Sequence, residues 1–312
     1  MVNMHKCVMV GCGFVGASSA FALMESGLFS EMVLIDVNQD KAEGEAMDLS
    51  HGLEFTQPME IYAGDYSDVK DAGVIIITAG AGQKPGETRM DLVHKNVGIF
   101  RSMIPQILKY NQEAVLLVVA NPVDILTWVT LQVSGFPPER VIGSGTVLDS
   151  ARLKYLLSRH LDVDPRSVHA YIIGEHGDSE LAVWSSANVS GVPLNEFCEM
   201  RGYLDHEGNR EKLYEEVKNS AYRIIEKKGA TYYGIALSVR RICECIARDE
   251  HSILPVSSLV QGHFGLHDLC MGVPAILGRK GVERVLDISL DEKEQEALLQ
   301  SAAALRQVLG SI

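Results

Sequence analysis

Long hydrophobic runs are absent from this chain. Its longest apolar stretches, such as residues 115–120, fall far short of the roughly 20 residues that span a bilayer. The six cysteines Cys7, Cys12, Cys198, Cys243, Cys245 and Cys270 include no Cys-x-x-Cys pair. A zinc-ribbon or thioredoxin-type reading therefore has no support, and no metal is expected. Basic runs never exceed two residues, Lys227-Lys228 and Arg240-Arg241. With 28 Lys and Arg against 41 Asp and Glu, the net charge is −13, so nucleic acid and anionic membrane are not expected partners. The opening Met1-Val2-Asn3-Met4-His5-Lys6 shows no signal-peptide pattern. Free thiols then point to a reducing cytoplasm. No repeat or low-complexity segment stands out.

What remains is globular: 312 residues, 46% hydrophobic and 22% charged. That length suits two domains or one large α/β unit. Glycine, at 28 residues, favours many tight turns. The first half alternates short apolar runs with helical periods. Residues 7–10, 32–35, 74–78 and 115–120 read as buried strands; residues 15–28, 41–51, 92–110 and 123–133 read as helices. This alternation predicts an α/β fold, a doubly wound parallel sheet of Rossmann type. The pattern changes near Gly143-Ser144-Gly145. A helix follows over 151–160, then mixed short strands and helices, then an amphipathic helix over 291–309. The expected organisation is a dinucleotide-binding domain over 1–146 and an α+β substrate and catalytic domain over 147–312.

Gly11-Cys12-Gly13-Phe14-Val15-Gly16 matches G-x-G-x-x-G, and it ends a strand and opens a helix. Gly11 allows the tight turn, Gly13 lets the backbone approach a pyrophosphate, and Gly16 lets helix and strand pack closely. Glycines kept only for packing would look the same. Asp36 separates the two readings. It ends the second strand, 20 residues beyond Gly16, where a carboxylate accepts the ribose hydroxyls of NAD and repels the 2′-phosphate of NADP. NAD is the expected cofactor.

Three further segments stand out together. They are Ala79-Gly80-Ala81-Gly82-Gln83-Lys84-Pro85-Gly86-Glu87-Thr88-Arg89, Asn121-Pro122-Val123-Asp124 and Gly174-Glu175-His176-Gly177-Asp178. With Leu148-Asp149-Ser150-Ala151-Arg152 and Lys228-Gly229-Ala230-Thr231-Tyr232-Tyr233-Gly234, this ordered set resembles the lactate/malate dehydrogenase family, most closely its bacterial lactate branch. The likeness runs from Lys6 to the last helix. It implies reversible hydride transfer between NADH and pyruvate, giving (S)-lactate. Malate, a branched 2-hydroxy acid, or a non-catalytic NAD-binding protein on the same fold are the alternatives.

The resemblance also assigns residues. His176 matches the acid/base histidine, whose ordinary pKa of about 6.5 suits proton traffic in both directions. Asp149 matches its carboxylate partner, although it also reads as an acid in the first turn of a helix. Arg152 matches the arginine that grips the substrate carboxylate through a two-pronged fork. By spacing alone, Asp149 and Arg152 would be an ordinary i, i+3 ion pair. Arg89 matches the arginine of a mobile lid that closes and polarises the carbonyl. Gln83 stands where malate-specific members carry arginine. A second substrate carboxylate would be left unpaired there at a cost of roughly 3–5 kcal/mol, which favours pyruvate. Asn121 matches an asparagine contacting substrate and cofactor, or simply initiates an Asn-Pro turn. Thr231 matches a residue beside the substrate side chain, and Ile235 and Val15 sit at cofactor-binding positions. Thr231 and Ile235 also read as ordinary helix positions. The family forms dimers or tetramers, so a homotetramer is expected first and a homodimer second. Few residues precede the first strand, and no long N-terminal arm is expected. Some bacterial members respond to fructose 1,6-bisphosphate. The corresponding positions here are His169 and Lys154, the latter in place of an arginine. Lysine binds phosphate as a point charge without a fork, which leaves the response open.

Overall fold

The computed structural model describes residues 2–82 and 86–312. In the first half, β1 (Asn3–Val10), β2 (Glu31–Ile35), β3 (Glu60–Ala63), β4 (Ala72–Ile77), β5 (Val115–Val118) and β6 (Val141–Gly143) lie parallel in the spatial order β3-β2-β1-β4-β5-β6. All six residues of β4 and all four of β5 are buried. Their side chains are covered on both faces, which explains unbroken apolar runs in place of alternation. α1 (Phe14–Ser26), α2 (Gln39–His51), α3 (Arg89–Leu108) and α4 (Val123–Ser134) connect them. α1 and α4 end on Gly27 and Gly135, both in the left-handed region that glycine adopts freely. α3 starts at a capping box: Thr88 Oγ1 accepts from the Asp91 N–H, and the Thr88 N–H donates to the Asp91 carboxylate.

The second half holds α5 (Val147–Leu161), β7 (Val168–Ile173), β8 (Leu181–Val189), β9 (Val192–Pro193), α6 (Leu194–Met200), α7 (His206–Lys228), α8 (Tyr233–Arg248), β10 (Ser252–Val260), β11 (Leu269–Gly278), β12 (Gly281–Val285) and α9 (Glu292–Leu309). β7, β8 and β9 form a separate antiparallel sheet. β10, β11 and β12 instead extend the first sheet. β10 runs antiparallel to β6, with Ser257 opposite Gly143, and the sheet reaches nine strands. One apolar core follows the large sheet. A smaller one, built on Leu153, Leu157, Ile172 and Val189, joins α5 to the small sheet.

The doubly wound parallel sheet is as the alternation predicts. Three details differ. β1 starts at Asn3 because Lys6 is buried in the strand and paired with Glu31 and Asp71. β3 and β6 are short strands with no expectation behind them. The antiparallel strands β10, β11 and β12 join the parallel sheet, while β7, β8 and β9 stay apart. Among the described residues no helix is long and apolar enough to cross a membrane.

Candidate functional site

The glycine turn can be tested position by position. Gly11 has φ +102°, and a β-carbon there would lie 2.5 Å from the Ala79 nitrogen. A β-carbon on Gly16 would lie 1.9 Å from the Gly11 carbonyl oxygen, so this helix and turn pack only with glycine. Gly13 is the opposite case: nothing lies within 4 Å of its missing β-carbon. It is also the N-cap of α1, where no side chain caps the free N–H groups. Open space over uncapped amides at a helix start is what a pyrophosphate requires. Asp36 follows β2, and its carboxylate accepts from the Cys12 N–H at 2.7 Å and the Asn38 N–H at 2.9 Å. It thus links the second strand to the glycine turn and also serves as a turn carboxylate. Val15 is in the first turn of α1 and Ile235 in the first turn of α8; both are half-buried against the main core, and the two helices pack together. The residues present fit a dinucleotide.

Beside this end of the sheet is a cavity of about 310 Å³ lined by Arg89, Asn121, Asp149, Arg152, His176 and Glu180, with Tyr222 and Ile225 from α7. Asp149 lies in the first turn of α5 and is 2% exposed. Its two oxygens do different work. Oδ2 meets His176 Nδ1 at 2.6 Å, and Oδ1 accepts from Arg152 Nη1 at 2.6 Å. The i, i+3 ion pair therefore exists, but it is buried and shares its carboxylate with the histidine. Thr146 Oγ1 donates to the Ile172 carbonyl at 2.6 Å, and the Ser150 hydroxyl pairs with the Ile172 backbone. These bonds fix α5 to β7 and so fix Asp149 relative to His176.

His176 follows β7 after Gly174, whose φ is +96°. Its backbone N–H donates to Asp124 Oδ2 at 2.7 Å, which ties it to α4 as well as α5. Burial alone would lower the imidazole pKa. The charge and hydrogen bond of Asp149, aided by Asp124 and Glu180, outweigh burial and raise it to about 9. The imidazolium is the resting form at neutral pH. Asp149 moves the other way: burial would raise its pKa, but His176 and Arg152 hold it below the usual range. Burial pushes the Asp124 carboxyl up to about 6, against the pull of Ser257 and the His176 N–H.

Arg89, expected on a mobile lid, is the first residue of α3. Its guanidinium pairs with Glu175 at 2.6 Å and Asp178 at 3.1 Å, and the Tyr222 hydroxyl donates to Asp178 at 3.0 Å. The arginine is thus held at the cavity by the two acids that flank His176. Asn121 is exposed at the cavity wall, and its peptide bond to Pro122 is cis. Its carbonyl accepts from Asn96 Nδ2 at 2.8 Å, and Asn96 Oδ1 accepts from the Ala81 N–H at 2.7 Å.

Sequence reasoning missed Asn96, which is 1% exposed and stitches two loops of the site together. It also gave no role to Asp124, Glu175 or Asp178, although all three stand in the quoted motifs, nor to Glu180. Thr231 is half-buried between α7 and α8, outside either helix, and is not among the residues lining the cavity. Gln83 lies outside the described residues. Lys154 is half-buried, its ammonium 5.9 Å from the centre of the Tyr171 ring, and burial lowers its pKa. His169 is exposed on β7, two residues before Tyr171.

Residues 5–143 match the family profile described as lactate/malate dehydrogenase, NAD binding domain, and residues 146–312 match that of the lactate/malate dehydrogenase, alpha/beta C-terminal domain. The chain is 54% identical to L-lactate dehydrogenase 1 of Clostridium acetobutylicum, over 98% of each chain. It is 56% identical to an L-lactate dehydrogenase of Thermoanaerobacterium saccharolyticum, again over 98% of each. Among solved structures, the ligands-bound minor L-lactate dehydrogenase of Enterococcus mundtii superposes with a TM-score of 0.96 at 44% identity, covering 99% of both chains.

Proposed function

The chain belongs to the lactate/malate dehydrogenase family, and from that premise we propose that it catalyses the NAD-dependent interconversion of pyruvate and (S)-lactate. The observation that carries this reading is a single buried carboxylate, Asp149, joining His176 and Arg152 at 2.6 Å each beside one cavity. The glycine turn of residues 11–16 and Asp36 would hold the dinucleotide. NADH, when bound, supplies the hydride to the carbonyl carbon of the substrate.

The rest falls to the chain's own residues. Arg152 gives one nitrogen to Asp149 and keeps the remainder of its fork for the substrate carboxylate, which fixes both position and angle. Asp149 occupies Nδ1 of His176, so Nε2 is the nitrogen left for the carbonyl oxygen. The proton moves from Nε2 to that oxygen as the C–O bond becomes a hydroxyl; in the oxidative direction neutral Nε2 takes it back. Arg89 brings a second positive charge to the same oxygen, which stabilises the charge that develops there. For this it exchanges part of its pairing with Glu175 and Asp178. Asn121 orients substrate and cofactor, and Thr231 stands near the substrate side chain. Gln83 favours pyruvate's methyl over a second carboxylate, a reading carried by sequence alone.

We place the domain boundary near residue 146, the enzyme in the cytoplasm and the chain in a homotetramer, with a homodimer second. Lys154 and His169 remain candidates for a phosphorylated effector. NADH consumption with pyruvate, oxaloacetate and 2-oxoisocaproate at equal concentrations tests the substrate assignment. Pyruvate is expected to be fastest; a preference for oxaloacetate would reassign the substrate.

A further inference from the structure

Glu180 stands four residues beyond His176 and is 5% exposed, yet it lines the same cavity. One ligand-type atom each from Glu180, Asp149 and His176 lie within 4.8 Å of one another. Two buried carboxyl groups therefore converge on one imidazole that faces the cavity. The groups facing Glu180 are Asp149 and Arg152 from α5, His176 from the loop after β7, and Lys218 and Tyr214 from α7. The Tyr214 hydroxyl donates to the Glu180 backbone carbonyl, which anchors the segment to α7.

Charge counting shows what the second carboxyl can do. Asp149, Arg152 and protonated His176 together carry one net positive charge, which a 2-oxo acid monoanion neutralises. Lys218 beside Glu180 adds a further positive charge, and an ionised Glu180 would remove one unit of that charge and repel the incoming carboxylate.

We propose that Glu180 sets the charge of the substrate pocket: it is uncharged when a 2-oxo acid anion binds, and when it loses its proton it turns that anion away. The inference rests on the reduction of a 2-oxo acid at His176 argued above. Burial and the neighbouring charge of Asp149 raise the Glu180 pKa to about 8, against the pull of His176, Arg152 and Lys218. The His176 pKa is raised to about 9. Two protons are thus lost on the alkaline side, one of them from a group that does not touch the reacting oxygen.

The test is the pH profile of kcat/KM for pyruvate, at saturating NADH, for the wild type and Glu180→Gln. Each essential proton contributes about tenfold per pH unit to the limiting slope. The wild type should therefore fall by more than about tenfold per unit above pH 9, and Glu180→Gln by about tenfold. A one-proton limb in the wild type, or the same slope in both enzymes, would overturn the proposal. Infrared difference spectra of the wild type between pH 7 and pH 9 add a readout that does not depend on the variant folding. They should show the loss of a protonated carboxyl C=O stretch, and absence of that loss would overturn it too. If the wild type oxidised NADH with no 2-oxo acid, the functional reading would fall instead, and the infrared band would still report on Glu180.

Discussion

Replacing Asp149 with asparagine removes the largest influence that raises the His176 pKa while leaving the shape of the side chain. The structure fixes the scale. His176 is raised from 6.5 to about 9, and at about 1.4 kcal/mol per pH unit this corresponds to roughly 3 kcal/mol favouring the imidazolium. At pH 7.5 the wild-type imidazole is almost fully protonated. Without Asp149, burial pulls the pKa back to its ordinary value or below, and about a tenth or less remains protonated. kcat/KM for pyruvate should then drop at least about tenfold at pH 7.5 from protonation alone. The orphaned Arg152 adds to the loss, because breaking a buried pair leaves a charge without its partner. The shape of the pH profile is the diagnostic. The wild type should be nearly flat between pH 6 and 7.5, whereas Asp149→Asn should recover as pH falls and His176 regains its proton. A deficit that stays constant across that range would make Asp149 a structural acid only. Near-normal turnover at pH 7.5 would remove it from the mechanism.

Other substitutions probe separate parts of the site. Gly16→Ala forces a contact 1.9 Å from the Gly11 carbonyl and should destabilise the fold by about 1–3 kcal/mol or more in urea melts. Gly13→Ala meets open space, so it should melt like the wild type yet bind NADH more weakly by fluorescence titration; equal binding would remove the pyrophosphate from this turn. Arg89→Gln should lower kcat more than it weakens ground-state pyruvate binding in steady-state assays, and the reverse pattern would make Arg89 a binding residue only. Gln83→Arg should raise the oxaloacetate to pyruvate ratio of kcat/KM by about a hundredfold or more, and an unchanged ratio would place selectivity elsewhere. Stability should fall with rising pH on the alkaline side. His176 has a folded pKa of about 9 against 6.5 unfolded, so its contribution is complete below pH 6.5 and lost by pH 9. Glu180, raised from 4.5 to about 8, acts in the same direction over a lower window, its contribution complete below pH 4.5 and lost as pH rises through 8. A urea midpoint that rises between pH 7 and pH 9 would contradict both.

The parts of this fold legible in sequence are those whose chemistry is local. The glycine turn and Asp36 announce a dinucleotide site because a strand, a turn and a helix start lie within a few residues. β4 and β5 announce themselves because burial on both faces demands apolar runs. The second half hides for the converse reason. α7 runs for 23 residues but fully buries only Val217, so it shows little apolar stripe. β6 is three residues long, and its antiparallel pairing with β10 joins positions more than a hundred residues apart. Motif likeness pointed to His176, Asp149 and Arg152, whereas their supports stayed silent. Asn96 acts through the loops that follow β4 and β5, Asp124 through a backbone N–H, and Glu180 through burial. None of these leaves a spacing pattern.

Direct transfer is the sharpest test of the proposed chemistry. Pyruvate reduced by the enzyme with NADH doubly deuterated at C4 of the nicotinamide should give (S)-lactate carrying one deuterium at C2, as read by NMR and chiral chromatography. Unlabelled lactate, racemic lactate, or no lactate from an enzyme that still binds NADH would contradict a site in which Arg152 fixes the substrate and His176 supplies only the proton.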